Sequence, residues 1–386
     1  MGKTKRHLLE VTMKYRDFGK SGERISALGF GCMRLPMMEK DGRETVNDEL
    51  AIPLLRRAVE LGVNYFDTAW GYCNGDSQYT VGRALKPFRD QVLISTKLPM
   101  PEVHCTDDFD RFLDASLERL DTDHIDFYHF HGINYACYEE KILGYGLIDR
   151  AERALADGRI KHLSFSFHDA APRMKALCDT GLFSSVLCQY NLVDRKNEES
   201  MAHCAENGMG VVVMGPLGGG NITNGGPEFL KKFSLPAKTP AELALKFVWG
   251  NPSVSCALSG MQTMAELEEN VRLAEFADTV GGDEWNKLMG ESDELTKLAD
   301  LYCTGCRYCD VCPRGIRPFA AMIEYNRMHV WGLTEGARAR YGRAKARGEL
   351  NITDCIGCGA CSERCPQKLD IPTELDRIDR IFSDLK

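Results

Sequence analysis

Long apolar runs are missing from this sequence. No stretch of about 18 apolar residues, the length that a membrane-spanning helix needs, occurs anywhere in it. The first ten residues contain no apolar core of the kind that defines a signal peptide. We therefore expect a cytoplasmic protein that is not associated with a membrane.

An excess of positive charge is also lacking, since 48 Lys and Arg residues face 56 Asp and Glu residues, for a net charge of -8. Nucleic-acid binding depends on clustered positive charge that neutralises phosphates, so nucleic acid is excluded as the main partner. A third absence is the Gly-x-Gly-x-x-Gly turn after the first predicted strand. Its absence disfavours an open, doubly wound dinucleotide-binding sheet.

Cysteine, by contrast, is abundant, with 16 residues in a chain of 386. Half of them form two tandem runs that each end in Cys-Pro: Cys303, Cys306, Cys309 and Cys312, then Cys355, Cys358, Cys361 and Cys365. Three thiolates at two-residue gaps suit one 4Fe-4S cluster, while the fourth ligates its neighbour. The spacing predicts two clusters with crossed ligation, in which Cys365 completes the first set and Cys312 the second. A four-cysteine zinc ribbon is the alternative.

Between residues 13 and 276, short β-branched or aromatic runs alternate eight times with amphipathic helical runs. Eight such units in about 250 residues predict an α/β fold, a closed (β/α)8 TIM barrel. The predicted strands are Gly29–Leu35, Asn64–Ala69, Val92–Leu98, Ile125–Gly132, His162–Asp169, Ser184–Leu192, Gly210–Leu217 and Val254–Gly260.

The composition changes at Gly281 and Gly282, where a polar helical run begins and leads to the cysteines. We predict an N-terminal extension over 1–12, the barrel over 13–282 and a linker helix over 283–296. A small, mainly α-helical ferredoxin-like domain is expected over 297–386. Its five basic residues Arg338, Arg340, Arg343, Lys345 and Arg347 form either a solvated helix face or one that offsets the clusters or docks an acidic electron carrier.

Four ionisable residues follow three consecutive strands of the predicted barrel: Asp67 and Tyr72 after the second, Lys97 after the third and His131 after the fourth. Active sites of such barrels lie at the carboxyl ends of the strands. A buried Asp67–Lys97 ion pair is expected, and Lys97 is expected to lower the pKa of the Tyr72 phenol. Tyr72 would then protonate a carbonyl oxygen as hydride reaches the carbon, while His131 hydrogen-bonds that oxygen.

These four residues, in the pattern Asp67-Thr68-Ala69-x-x-Tyr72, Lys97 and His131, resemble the catalytic tetrad of the aldo/keto reductase family. The resemblance covers about residues 14 to 276 and implies a nicotinamide cofactor at the carboxyl rim of the barrel. The cofactor-binding positions that it implies are Gly31, Cys32, Met33, Asp67, Ser166, His168, Gln189, Gly215, Pro216, Leu217, Gly218, Ser259, Gly260, Met261, Glu269 and Asn270. After Ser166, where the family usually has an asparagine, this chain has Phe167, which leaves His168 as the substitute for that asparagine.

The adenine end of the implied site departs from the family. Where NADPH-specific members place a lysine and an arginine for the 2′-phosphate, this chain has Gly260 and Glu266. Because a carboxylate repels a phosphate, we expect NAD(H) to be favoured over NADP(H). Arg34, just beyond the first strand, is expected to pair with a surface carboxylate rather than with an anionic substrate.

The cysteine region is similar to the ferredoxin-like domain fused to some bacterial and archaeal aldo/keto reductases. Nicotinamides exchange two electrons as hydride, whereas a 4Fe-4S cluster passes one, and a flavin is the usual converter. Three functions stay open. In the first, the protein reduces a small carbonyl compound or oxidises its alcohol, and the clusters have a structural, sensing or relay role. The second is an oxidoreductase linked to a ferredoxin or flavodoxin partner, and the third is a non-catalytic redox-sensing barrel. A bound flavin is not excluded.

Overall fold

The computed structural model describes residues 13–225, 227–298 and 303–384. The predicted extension over 1–12 lies outside the described residues. Twelve strands occur in the described part: β1 Tyr15–Asp17, β2 Arg24–Ser26, β3 Leu28–Gly31, β4 Met37–Lys40, β5 Arg43–Val46, β6 Tyr65–Asp67, β7 Leu93–Leu98, β8 Ile125–Ile133, β9 Ile160–Phe167, β10 Ser185–Gln189, β11 Gly210–Met214 and β12 Cys256–Ser259.

Eight of these strands close into a parallel barrel. The order β3-β6-β7-β8-β9-β10-β11-β12 returns to β3, where Ala257 pairs with Leu28 and Ser259 with Phe30. The strands are buried on both faces, as parallel strands covered by helices must be; all six residues of β7 are buried. The predicted fold class is therefore confirmed.

The helices alternate with the barrel strands and then continue alone. Their bounds are α1 Asp48–Glu60, α2 Ser77–Leu85, α3 Asp108–Leu120, α4 Tyr135–Cys137, α5 Leu147–Ala156, α6 Ala171–Cys178, α7 Glu198–Glu206, α8 Pro227–Leu230, α9 Pro240–Gly250, α10 Met264–Ala274, α11 Gly282–Leu298, α12 Pro318–His329, α13 Thr334–Ala346, α14 Ala360–Glu363 and α15 Ile371–Asp384. Within the described ranges, no helix is both long and apolar enough to cross a membrane.

Two hairpins, which the sequence did not predict, decorate the barrel at β1–β2 and β4–β5. The first closes the amino-terminal end, where Phe18 is fully buried with its ring centroid 4.7 Å from that of Phe127 and 5.8 Å from that of Tyr65. Aromatic packing of this kind excludes water from that end of the barrel. The carboxyl end is therefore the end that remains available for a site.

The segment predicted as a linker helix forms part of α11, which packs on the barrel. Leu288 and Leu295 are buried in the barrel core, and the Ser292 hydroxyl donates a 2.6 Å hydrogen bond to the carbonyl of Leu192. Burial of one apolar stripe is what holds an amphipathic helix against a barrel. The connection to the cysteine region thus starts from a fixed helix.

The cysteine region has a second, smaller core between α12, α13 and α15, and its helical character agrees with the prediction. Tyr341 and Phe382 stack there with ring centroids 4.2 Å apart. Trp331, which follows α12, packs into the barrel core instead and is 4% exposed. Its ring centroid lies 5.1 Å from that of Phe229. The two regions therefore share an apolar contact.

Candidate active site and cluster-binding cysteines

A buried ion pair forms the base of the candidate active site. Asp67, at the end of β6, is 3% exposed and Lys97, in β7, is 1% exposed. The Lys97 amino group donates to both Asp67 oxygens at 2.8 and 2.7 Å and to the Thr68 carbonyl at 2.7 Å. Ser95 donates a further bond of 2.8 Å to the carboxylate. Such complete hydrogen bonding is what makes burial of two opposite charges tolerable, and the expected pair is present.

The turn after β6 positions Tyr72. The two residues that follow it have left-handed backbones, with φ of 53° at Cys73 and 57° at Asn74. A non-glycine residue with a left-handed backbone costs about 1 to 3 kcal/mol and persists only where surrounding contacts hold it there. The surroundings do so here, because Arg43 of the β4–β5 hairpin donates a 2.9 Å bond to the Asn74 carbonyl and Cys73 Sγ donates to the Met33 carbonyl at 3.5 Å.

Tyr72 and His131 meet above the ion pair at the carboxyl rim. The Lys97 Nζ lies 4.7 Å from the centroid of the Tyr72 ring, and the His131 ring lies 5.9 Å away at an interplanar angle of 79°. The four residues that the sequence singled out as a candidate tetrad are therefore brought together by β6, β7 and β8.

The shift in the pKa of Tyr72 is opposite to the expected one. Burial raises the pKa of the Tyr72 phenol well above its ordinary value, and the Asp67 carboxylate adds to the effect. The prediction that Lys97 lowers this pKa is wrong. The Lys97 amino group hydrogen-bonds to Asp67 and to the Thr68 carbonyl, and the negative charge of Asp67 offsets its positive charge. Burial, with Lys97 next, lowers the pKa of His131 well below its ordinary value. Near neutral pH the site therefore presents a protonated phenol beside a neutral imidazole.

Gln189 and Ser166 lie on neighbouring strands, β10 and β9. The Gln189 side-chain Nε2 is buried and has no acceptor among the described residues. The side chain lies against Gly215, where a Cβ would sit 2.6 Å from Nε2. A buried donor without a partner is costly, so this amide suits a polar group of a ligand, such as a nicotinamide carboxamide. Ser166 accepts a 2.6 Å bond from the Gly132 amide, and His168 follows at the end of β9, where burial lowers its pKa to about 4.

The glycine-rich loop after β11 contains Gly215, Pro216, Leu217 and Gly218, and Arg34 clamps its next residue. Arg34 donates a 2.6 Å bond to the carbonyl of Gly219 and longer bonds, 3.5 and 3.4 Å, to the carbonyls of Thr304 and Gly305. The prediction that Arg34 pairs with a carboxylate is therefore wrong, because its partners are backbone carbonyl oxygens. Gly219 has a φ of +67°, and a Cβ there would lie 2.2 Å from the Thr304 oxygen. Only glycine permits this close approach of the cysteine region.

The residues expected at the adenine end lie in α10 and in the segment that precedes it. Asn270 donates a 3.0 Å bond to the Ser259 hydroxyl, and Glu269 accepts a 3.2 Å bond from Thr239. Glu266 closes a capping box with Thr263 and accepts bonds from backbone amides at 2.7 and 3.2 Å. The carboxylate is thus held at the helix N-terminus. The remaining positions lie near the first strand: Gly31 approaches Gly260, and Cys32, Met33 and Met261 flank them.

The cysteines of the two runs line two separate cavities. The first, termed here the inner cavity, is lined by Cys303, Cys306, Cys309 and Cys365, and the second, the outer cavity, by Cys312, Cys355, Cys358 and Cys361. Each cavity thus draws three thiols from one run and one from the other. Left-handed backbone at Gly305 and Arg307, both with a φ of 67°, lets the first run wrap around its cavity.

The two cavities differ in exposure. Cys303, Cys309 and Cys365 of the inner cavity are buried, whereas Cys358 of the outer cavity is exposed. Ile356 beside it keeps 57% of its surface exposed. Of the eight thiols, the one exposed to solvent therefore belongs to the outer cavity, although Cys361 of that cavity is buried.

Tyr308, between two cysteines of the inner cavity, was missed by sequence reasoning. Burial raises the pKa of its phenol, and any negative charge on the nearby Tyr72 phenol or Cys306 thiol would raise that pKa further. Its hydroxyl is therefore close to the rim of the barrel, although 39% of the residue stays exposed. No local signal marks an aromatic residue inside a cysteine run as part of a distant site, because only the packing of the two regions brings it there.

A closed parallel barrel with a buried ion pair, a phenol and an imidazole at its carboxyl rim, joined to a helical region with two thiol-lined cavities, defines an iron-sulfur oxidoreductase of the barrel type. The chain belongs to the aldo/keto reductase family, whose model matches residues 27–288. A second model, the 4Fe-4S dicluster domain, matches residues 302–369.

Among curated relatives, L-galactose dehydrogenase of Arabidopsis thaliana is 26% identical over 70% of this chain and 91% of its own length. The uncharacterised oxidoreductase YqkF of Bacillus subtilis is 28% identical over 68% of this chain and 91% of its own length. Among solved structures, the holo form of the aldo-keto reductase AKR11C1 from Bacillus halodurans superimposes with a TM-score of 0.62 at 27% identity. It covers 73% of this chain and 96% of the solved one.

Proposed function

We propose that the barrel reduces an aldehyde or ketone, or oxidises the corresponding alcohol, with a nicotinamide cofactor that supplies or accepts hydride. The observation that carries this proposal is the protonated Tyr72 phenol beside the neutral His131 imidazole, above the Asp67–Lys97 pair. Tyr72 donates its proton to the carbonyl oxygen as negative charge develops there, and His131 donates a hydrogen bond to the same oxygen. The unpaired amide of Gln189 orients the carboxamide of the cofactor.

An anaerobic screen of carbonyl compounds with NADH and NADPH tests this function on the holoprotein. L-Galactose with NAD⁺ is added to the panel, because the Arabidopsis relative is named as a dehydrogenase of that sugar. We expect oxidation of the reduced nicotinamide with at least one carbonyl class. Absence of turnover with every class, from protein whose iron content shows both clusters in place, would refute the reductase function.

We propose that NAD(H) is favoured over NADP(H). Glu266 supports this preference, because its carboxylate caps α10 and so places negative charge where the 2′-phosphate would approach the helix N-terminus. Replacing Glu266 with Gln keeps an oxygen acceptor for the cap and removes the charge. We expect NADPH affinity to rise in fluorescence titrations, while Glu268→Gln, an exposed change on the same helix, leaves it unaltered. Tighter binding of NADPH than NADH by the wild-type protein at moderate salt would contradict the preference.

We propose two 4Fe-4S clusters with crossed ligation, one in each thiol-lined cavity, in a cytoplasmic protein whose thiols stay reduced. The grouping of three cysteines of one run with one of the other supports the crossing. Iron and acid-labile sulfide analysis, together with the anaerobic visible spectrum, tests it. A colourless protein that contains zinc would show the assignment to be wrong.

A second function, an oxidoreductase linked to ferredoxin or flavodoxin, is supported by the different exposure of the two cavities. Exposed Ile356 and Val311 flank the outer cavity and offer an apolar contact for an electron carrier, while the inner cavity adjoins the barrel rim through Thr304. Two clusters, each reduced by one electron, hold the two electrons that NAD⁺ and a proton need to form NADH. Reoxidation of dithionite-reduced clusters by NAD⁺ or an aldehyde would support this relay. No response to either would assign the clusters a structural or sensing role.

A further inference from the structure

A cleft rich in arginine lies in the cysteine region, beside the first cysteine run. It opens between α12 and α13 and has a volume of about 380 Å³, within the range of about 300 to 1,000 Å³ of small-molecule sites. Phe319, Ile323 and Ala344 contribute its apolar surface. We call it the arginine cleft after the six residues whose guanidinium groups line it: Arg307, Arg317, Arg327, Arg340, Arg343 and Arg347.

Two glutamates hold four of these guanidinium groups in place. Glu324, which is 7% exposed, pairs with Arg327 and accepts a 2.9 Å bond from Arg340. Glu349 accepts bonds of 2.7 and 3.1 Å from Arg347 and lies 3.9 Å from Arg317, which also faces Asp310 at 3.6 Å. Carboxylates shared between two arginines fix the direction of the remaining N–H donors.

The positive charge of the cleft exceeds its negative charge. In the part of the chain that the structure describes, neither Arg307 nor Arg343 has a carboxylate within 4.0 Å. The Nε–H group of Arg327 is buried and finds no acceptor among the described residues. A buried donor without a partner is costly, so an anion that reached this group would stabilise it.

Arginines from separate segments of the chain converge on one aromatic ring of the cleft. The guanidinium of Arg307, in the first cysteine run, lies 5.1 Å from the centroid of the Phe319 ring. That of Arg317, just before α12, lies 5.0 Å from the same centroid. A basic helix face that is merely solvated does not bring together guanidinium groups from separate segments in this way.

We propose that the arginine cleft binds a small anion that carries two or more phosphate or carboxylate groups. Planar guanidinium groups bind both kinds of group through paired hydrogen bonds, and the apolar surface suits a short carbon skeleton. Because Arg307 lies between Cys306 and Cys309, bound negative charge lies next to the inner cavity. An anion there disfavours an added electron, so the ligand lowers the reduction potential of a cluster in that cavity.

Anaerobic calorimetry on the holoprotein, at about 0.1 M salt so that distant surface charges are screened, tests the proposal with two probes. Inorganic tripolyphosphate represents phosphate ligands, and propane-1,2,3-tricarboxylate represents carboxylate ligands. We expect at least one to bind at a single saturable site per chain and to lower the potential of one cluster in a redox titration followed by electron paramagnetic resonance. The probe that binds more tightly identifies the source of the anion.

Two variants on the same helix separate this site from general electrostatics. Arg343→Gln removes an exposed, unpaired guanidinium from the cleft and is expected to weaken binding about tenfold, the value of one charge-assisted hydrogen bond. Arg338→Gln removes the same charge from α13 outside the cleft, and we expect binding to stay unchanged. Iron content and thermal unfolding establish that both variants are folded. Equal weakening by the two variants overturns the proposal, as does failure of both anions to bind or binding of an acidic ferredoxin alone.

Discussion

Replacing Tyr72 with Phe removes one oxygen atom and leaves the rest of the candidate active site in place. The ring keeps its contacts with Lys97, 4.7 Å from its centroid, and with His131, 5.9 Å away. The buried ion pair is unaffected, because Lys97 bonds to Asp67 and Thr68 and not to the phenol. The change in rate therefore measures the proton that Tyr72 donates. General-acid catalysis contributes about 10² to 10⁴ in rate, or about 2.7 to 5.5 kcal/mol of the barrier.

The pH dependence of the wild-type protein follows from the direction of two pKa shifts. Tyr72 has a raised pKa and stays protonated, while His131 has a lowered pKa and stays neutral, across about pH 7 to 9. Both groups then keep the form that reduction needs, so the rate of hydride transfer to a carbonyl should stay level in this range. Alcohol oxidation needs the deprotonated phenol, so its rate should rise with pH.

Single-turnover oxidation of NADH under anaerobic conditions measures both effects. Tyr128→Phe is the matched control, because this buried tyrosine has a hydroxyl with no partner among the described residues and no place at the rim. We expect the control to react like the wild type. Carbonyl reduction by the Tyr72→Phe protein within about tenfold of the wild-type rate would refute the assigned role. A wild-type reduction rate that falls from pH 7 to 8 would refute the raised pKa.

Two further substitutions test the packing of the site. Lys97→Met leaves the Asp67 carboxylate buried without its cation and should cost about 3 to 5 kcal/mol in denaturant unfolding followed by fluorescence. Lys86→Met, which breaks an exposed pair whose side chains are 63% and 59% exposed, should change little; similar losses in both would contradict burial as the cause. Gly219→Ala places a Cβ 2.2 Å from a carbonyl of the first cysteine run and should speed hydrogen exchange there. Gly220→Ala should leave hydrogen exchange unchanged, because Gly220 also has a positive φ, of +87°, but no described atom beyond its chain neighbours lies within 4 Å of the added Cβ.

The barrel was predictable because its signal is local and repeated. Each strand is a short apolar run and each helix an amphipathic one, and a closed parallel barrel buries eight such units together. The missing Gly-x-Gly-x-x-Gly turn disfavoured the open doubly wound sheet that shares this alternation. Asp67 and Lys97 were predictable as a pair for a related reason, since opposite charges at the ends of neighbouring buried strands need each other. Six of the eight barrel strands end earlier than predicted, whereas β7 ends at Leu98 as predicted and β8 runs one residue further, to Ile133. The largest difference is in β3, which stops at Gly31, where the chain turns towards the rim.

The remaining features depend on contacts between distant parts of the chain. The sign of the Tyr72 pKa shift follows from how tightly its hydroxyl is enclosed, and no residue type encodes that. Arg34 looked like a surface residue because its acceptors, the carbonyls of Gly219 and Thr304, carry no signal in a sequence. Tyr308 reaches the rim only because the cysteine region docks on the barrel.

Crossed thiol sets have a consequence for how the protein is made. With the ligation proposed above, the cluster nearest the barrel takes its fourth thiol from Cys365, so it stays incomplete until Cys365 has left the ribosome. Trp331, which completes the barrel core, is synthesised between the two cysteine runs. Among the residues that the structure describes, the last buried side chain of the barrel core is thus made before either proposed cluster can have all its ligands. Completion of either cluster therefore follows synthesis of the barrel core.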